Sequence, residues 1–160
     1  METLIAPRDT LVKIENYLER LLNRSRALCV LLVDISGQLI AEKGNNEGLD
    51  TSALAALAAS NVAATAEIAR QLDESEPFSY LFHEGKRRHI YISAIGASSL
   101  LVVIFDEMTQ IGLVRIFARL AVNELLEVAS ELEPWLQKAG AVVDREFRGA
   151  LAEGLDEAFT

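Results

Sequence analysis

The sequence predicts an α+β domain in the order αββαβββα, with a five-stranded, mostly antiparallel sheet between helix layers and a further helix at the C-terminus. Three observations carry this. Apolar residues recur at helical spacing in three separated stretches; five short strand-like runs lie between them; and runs adjacent in sequence are joined by tight turns except where the middle helix intervenes. A chain of 160 residues is one domain in size, and with 51% apolar residues its core needs no disulfide or metal to hold it.

The first helix is expected from about Pro7 to Ser25, with Leu11, Ile14, Leu18, Leu21 and Leu22 on one side and Lys13, Glu15, Glu19 and Arg20 between them. Leu28 to Asp34 and Gln38 to Lys43 then flank Ile35-Ser36-Gly37, a hairpin whose glycine takes the positive φ of the turn. After a polar loop from Gly44 to Gly48, Asp50 caps the middle helix, whose buried side is expected at Leu54, Leu57, Ile68 and Leu72, down to about Asp73.

Pro77 opens a strand to about His83, Gly85-Lys86-Arg87 turns it, His89 to Ile95 returns, and Gly96 to Ser98 turns again into Leu100 to Phe105. Leu28 to Val33 and Leu100 to Phe105 are apolar at every position, so both strands are expected at the centre of the sheet, covered on both faces. The last long helix runs from about Thr109 to Glu131. There Arg115, Arg119, Asn123, Glu127 and Glu131 form one polar stripe, while Ile111, Val114, Phe117, Leu120, Ala121, Leu125 and Val128 cover an arc wider than one core needs. Pro134 is expected to end that helix, residues 136–144 to be a linker, and Asp144 to Phe159 to form a short separate helix. The domain is thus drawn at 1–133 and an extension at 134–160.

The net charge of -9 argues against binding bare nucleic acid or anionic lipid through general charge. Charge is uneven, from +1 over Met1 to Ala27 to -4 over Glu131 to Thr160. The short basic cluster Lys86-Arg87-Arg88 reads as a solvated hairpin tip. The unbroken apolar stretches are far too short to span a membrane and Met1 to Arg8 holds no signal-peptide core, so a soluble cytoplasmic protein without membrane insertion is expected. The single cysteine, Cys29, reads as a small buried hydrophobe in a reducing compartment.

Catalytic signatures are missing. There is no phosphate-binding G-x-x-x-x-G-K-[ST], and Gly96-Ala97-Ser98 lacks the spacing of a nucleophile elbow. His83, His89 and Cys29 are too few for a closed zinc site, so neither metal nor cofactor is expected. Asp34 and Asp106 each follow a buried strand, where a carboxylate caps the turn. What remains informative is the middle helix, where Ala55, Ala56, Ala59, Ser60, Ala63, Ala66 and Glu67 lie away from Leu54, Leu57 and Ile68. Alanine's helix propensity is the simpler explanation. Yet this smooth ridge and the broad apolar arc of the last helix both ask for partners that one small domain does not supply.

Several blocks resemble the roadblock domain, and within it the bacterial MglB-type regulators of the Ras-like GTPase MglA. They are Leu31-Leu32-Val33-Asp34 with Ser36-Gly37-Gln38-Leu39-Ile40, Ser60-Asn61-Val62-Ala63-Ala64, Phe82-His83-Glu84-Gly85, and Leu101-Val102-Val103-Ile104-Phe105-Asp106 followed by Leu113-Val114-Arg115. The tail Leu155-Asp156-Glu157-Ala158-Phe159 resembles the C-terminal segment particular to the MglB type. The resemblance implies a homodimer whose sheets join edge to edge, with the two middle helices side by side on one face. It implies that these helices dock one GTP-bound small GTPase and stimulate hydrolysis by repositioning the partner's own catalytic residues, without an arginine finger and without the chain being an enzyme itself. The docking positions carried over are Ala63 and Glu67, with Ala56, Ala59, Ser60 and Arg70 nearby. Phe147, Leu151, Leu155 and Phe159 of the tail are expected to contact the partner and promote nucleotide exchange. The setting implied is cell polarity or gliding motility, in the cytoplasm and concentrated at a cell pole through partners. A polarity scaffold that binds the GTPase without changing its turnover is the alternative, and a small-ligand sensor a third reading.

Overall fold

The computed structural model describes the backbone of residues 7–159, with side chains described over 7–138 and at positions 149 and 153. The elements are α1 (Arg8–Ser25), β1 (Cys29–Asp34), β2 (Leu39–Gly44), α2 (Thr51–Gln71), β3 (Tyr80–Glu84), β4 (Arg88–Ile95), β5 (Ser99–Asp106) and α3 (Ile111–Phe159). The five strands form one sheet in the order β2-β1-β5-β4-β3, and each neighbouring pair is antiparallel. As the continuous apolar runs predict, β1 and β5 lie at the centre, buried on both faces, and β2 and β3 are the edges.

Alternation along the strands sends successive side chains to opposite faces and so builds two cores. On one face Val30, Leu32, Leu101, Val103 and Phe105 pack with Ile14, Leu18 and Leu21 of α1 and with Val114, Ala118, Leu125 and Leu132 of α3. On the other, Cys29, Leu31, Val33, Leu100, Val102 and Ile104 pack against Ala55, Ala58 and Ala59 of α2. The sheet is sandwiched between one helix and a helix pair.

Two expectations fail. The buried residues of α2 are Thr51, Ala55, Ala58, Ala59 and Ala69, whereas Leu57, Ile68 and Leu72 are 64%, 53% and 63% exposed. The reason is volume. Leu31, Val33, Leu100 and Val102 already fill the layer beneath, so the helix approaches the sheet through methyl groups and turns its large side chains outward. By length and composition alone α2 could cross a membrane, with a mean hydropathy of 1.3 over eighteen residues, yet its alanine side is spent on the sheet.

The second failure is at Pro134. The last helix is 49 residues long and passes through that proline, so residues 136–144 are helical, as are residues 144–159. Proline removes one N–H and crowds the carbonyl of Ser130, which argues for a break. Packing on both sides outweighs this: Leu132 is buried before the proline, and Trp135 and Leu136 pack against the same core after it. The side chains of Phe147, Leu151, Leu155 and Phe159 lie outside the described residues.

Candidate functional site

The outer side of α2 is set in place from its first turn and from both flanks. Asp50 caps its first turn, its Oδ1 accepting from the Ala53 N–H at 3.0 Å. On the β1–β2 side, Gly37 (φ +96°) brings its turn so near α2 that a Cβ there would meet Ala56 Cα at 3.1 Å. On the β3 side, the Asn61 amide lies 2.8 Å from Nε2 of His83. Thr65 Oγ1 donates to the carbonyl and side-chain oxygens of Asn61, which fixes that amide.

Of the positions singled out in sequence, Ala56, Ser60, Ala63, Glu67 and Arg70 are exposed together along the flank nearer the β1–β2 turn. Ala59 is not among them: it is 7% exposed and belongs to the core beneath the helix. Residue 59 falls about 100° round the helix from 60 and so turns under it. Arg70 reaches Glu67 at 2.6 Å and Gln71 donates to the same carboxylate at 2.9 Å. The Arg70 guanidinium, and after it the Gln71 amide, hold the Glu67 carboxyl below its ordinary range. The flank is therefore methyl groups, one hydroxyl and a self-neutralised ion pair. Such a surface admits a neighbouring backbone closely and asks for no particular countercharge.

Leu57, Ala64, Ile68 and Leu72 form the other flank, on the side of Asn61 and hence of the β3 edge. Sequence reasoning placed these leucines inside. The signal that they face out was Asn61, which shares their stripe and would have been an amide buried among leucines. On the far side of the sheet, the apolar arc of α3 is only partly used: Ile116 is 60% and Leu120 47% exposed.

The histidines do not form a pair. In register His83 faces Ile90 and His89 faces Glu84, and the two rings take opposite sides of the sheet. His83 turns to Asn61, while His89 packs beside Phe82 and Phe105. Among the described residues no three metal-ligating side chains converge. Asp34 and Asp106 act as turn caps, accepting from the N–H of Ser36 and of Met108. Cys29 is fully buried, and burial, with a smaller push from Glu42, raises its thiol above the ordinary range.

The Roadblock/LC7 domain matches residues 13–105, from within α1 to within β5. Over 75% of this chain and 97% of the other, the structure is similar to Myxococcus xanthus MglB at 40% identity and a TM-score of 0.71. The chain belongs to the Roadblock/LC7 domain family, in its MglB-type branch. This roadblock chain is also similar to the gliding protein MglB from Thermus thermophilus, at 30% identity and a TM-score of 0.74, covering 82% of this chain and 98% of that one. A further MglB structure, described as having a tetrameric arrangement, is similar to the same extent. Myxococcus xanthus MglC, at 15% identity and a TM-score of 0.53, shares the roadblock fold alone. Among curated protein sequences nothing matches.

Proposed function

We propose that this MglB-type roadblock protein is a homodimeric activator of a bacterial Ras-like small GTPase of the MglA type. It serves cell polarity and gliding motility from the cytoplasm and concentrates at a cell pole through its partners. The observation that carries this reading is the two-flanked outer side of α2 in a chain 40% identical to an MglB. The flank of Leu57, Ile68 and Leu72 lies toward the β3 edge, so joining two sheets at β3 would set two α2 helices side by side with their large apolar residues between them. The flank of Ala56, Ser60, Ala63 and Glu67, with Arg70 beside it, then remains open for the GTP-bound partner.

Chemistry stays in the partner's site. Docking on the paired helices selects the closed arrangement of the GTPase's switch loops and holds its own water-positioning residue in line, lowering the hydrolysis barrier without an arginine from this chain. The C-terminal stretch of α3, carrying Phe147, Leu151, Leu155 and Phe159, contacts the GTPase away from that platform and promotes nucleotide exchange.

Single-turnover GTP hydrolysis by an MglA-type GTPase, with and without this protein, tests the reading. The wild type should accelerate hydrolysis, and Ala63→Arg should remove both binding and acceleration. Tight binding with unchanged hydrolysis would replace the activator by a scaffold.

A further inference from the structure

On the face of the sheet opposite α2, the α1–α3 pair presents a basic, apolar surface in a chain whose net charge is -9. Arg20 and Arg24 of α1 and Arg115 and Arg119 of α3 border Leu120 and Ile116. Glu124 lines this surface and pairs with Arg20 at 3.3 Å, and the exposed Glu127 follows one turn beyond Asn123 on the same stripe of α3. Four guanidinium groups against these two carboxylates leave a local excess of positive charge around two exposed aliphatic side chains.

We propose that this surface receives residues 144–160 of a second copy of the chain. The complementarity is of two kinds. That segment carries five acidic and two basic residues, a net charge of -3, opposite in sign to the surface. Its sequence also carries Phe147, Leu151, Leu155 and Phe159 at every fourth position of a stretch whose backbone is helical to Phe159, the pattern of an amphipathic helix. An amphipathic acidic helix on a basic apolar surface satisfies both.

The occupant is a second copy because the chain's own segment does not reach. Leu120 and Phe147 lie on one continuous helix, about 40 Å apart at 1.5 Å per residue. A helix does not fold back onto its own earlier turns. Reciprocal exchange of segments closes two copies into a pair, and one-way docking adds copies in a row. The inference goes beyond the GTPase reading: it uses the face of the sheet opposite the α2 platform, its test needs no nucleotide or partner GTPase, and a segment seated on a second copy must be released before it contacts the GTPase.

The test is sedimentation velocity of the full-length protein over a concentration series at low and high salt. The expected result is a larger assembly at low salt that recedes as salt rises, because charge attraction is screened. Arg115→Glu with Arg119→Glu should weaken that association about tenfold or more, and Asp156→Arg with Glu157→Arg should do the same from the other side. Combining all four substitutions should restore it. An assembly size indifferent to salt and to both charge reversals would overturn the proposal, as would a four-fold variant that stays as weak as either pair. Because Asp156 and Glu157 lie far along α3 from Trp135 and Leu136, which pack on the core, loss of folding in the first pair would leave the second to decide.

Discussion

A Cβ on Gly37 would stand 3.1 Å from Ala56 Cα, so the β1–β2 turn and α2 touch through backbone with no side chain between them. The φ of +96° adds a conformational demand that an L-residue meets poorly. Gly37→Ala should destabilise the protein by about 1–2 kcal/mol. Thermal melting should register this as a fall of several degrees.

Ala59 and Ala63 are one turn apart and should behave oppositely. Ala63 is exposed, so Ala63→Arg should leave the melting temperature nearly unchanged while abolishing capture of the GTP-bound partner. Ala59 is pressed against the sheet, so Ala59→Leu should cost about 1–3 kcal/mol by overpacking. Melting curves paired with binding isotherms distinguish the two.

No arginine of this chain should act as a finger. Arg70, Arg87, Arg88 and Arg115, each changed to alanine, should leave stimulated hydrolysis within about tenfold of wild type, whereas a true finger supplies about 10³ to 10⁵. One variant that binds normally and loses a thousandfold or so would overturn the indirect mechanism.

Pro134 is exposed within α3 and leaves the Ser130 carbonyl without its helical N–H. Pro134→Ala should therefore raise helicity by circular dichroism and stabilise the protein by up to about 3 kcal/mol. Trp135→Ala should act in the other direction, since the indole packs on the core that α1 and α3 share.

Burial raises the Cys29 thiol, with a further contribution from Glu42, so folding favours the neutral form. Its contribution to stability is full below the pH at which an unfolded thiol ionises and is lost as pH climbs through the raised folded value. Melting temperature should fall more steeply at alkaline pH in the wild type than in Cys29→Ala. Alkylation by iodoacetamide should be slow until the protein is unfolded.

The order of elements and the central place of β1 and β5 were legible because uninterrupted apolar runs and turn glycines report burial and reversal locally. The orientation of α2 was not. Its alanines and leucines carry the same apolar label, and which of them faces the sheet depends on how much space β1 and β5 leave, a quantity set by residues distant in sequence. The same holds at Pro134, where local propensity argued for a stop and Trp135 and Leu136, by docking on the core, carried the helix on. Of the candidate site, the exposed flank was found because small residues recur there. Ala59 was misplaced because a helix of alanines gives no cue to where its buried edge lies.

The alanine underside of α2 separates two kinds of evolutionary pressure. Folding is served by a few methyl groups, so the residues above them can change in size and sign without disturbing the sheet. A lineage that duplicated such a chain could redirect one copy to a different client by rewriting the upper turns of a single helix, at little risk to the scaffold beneath.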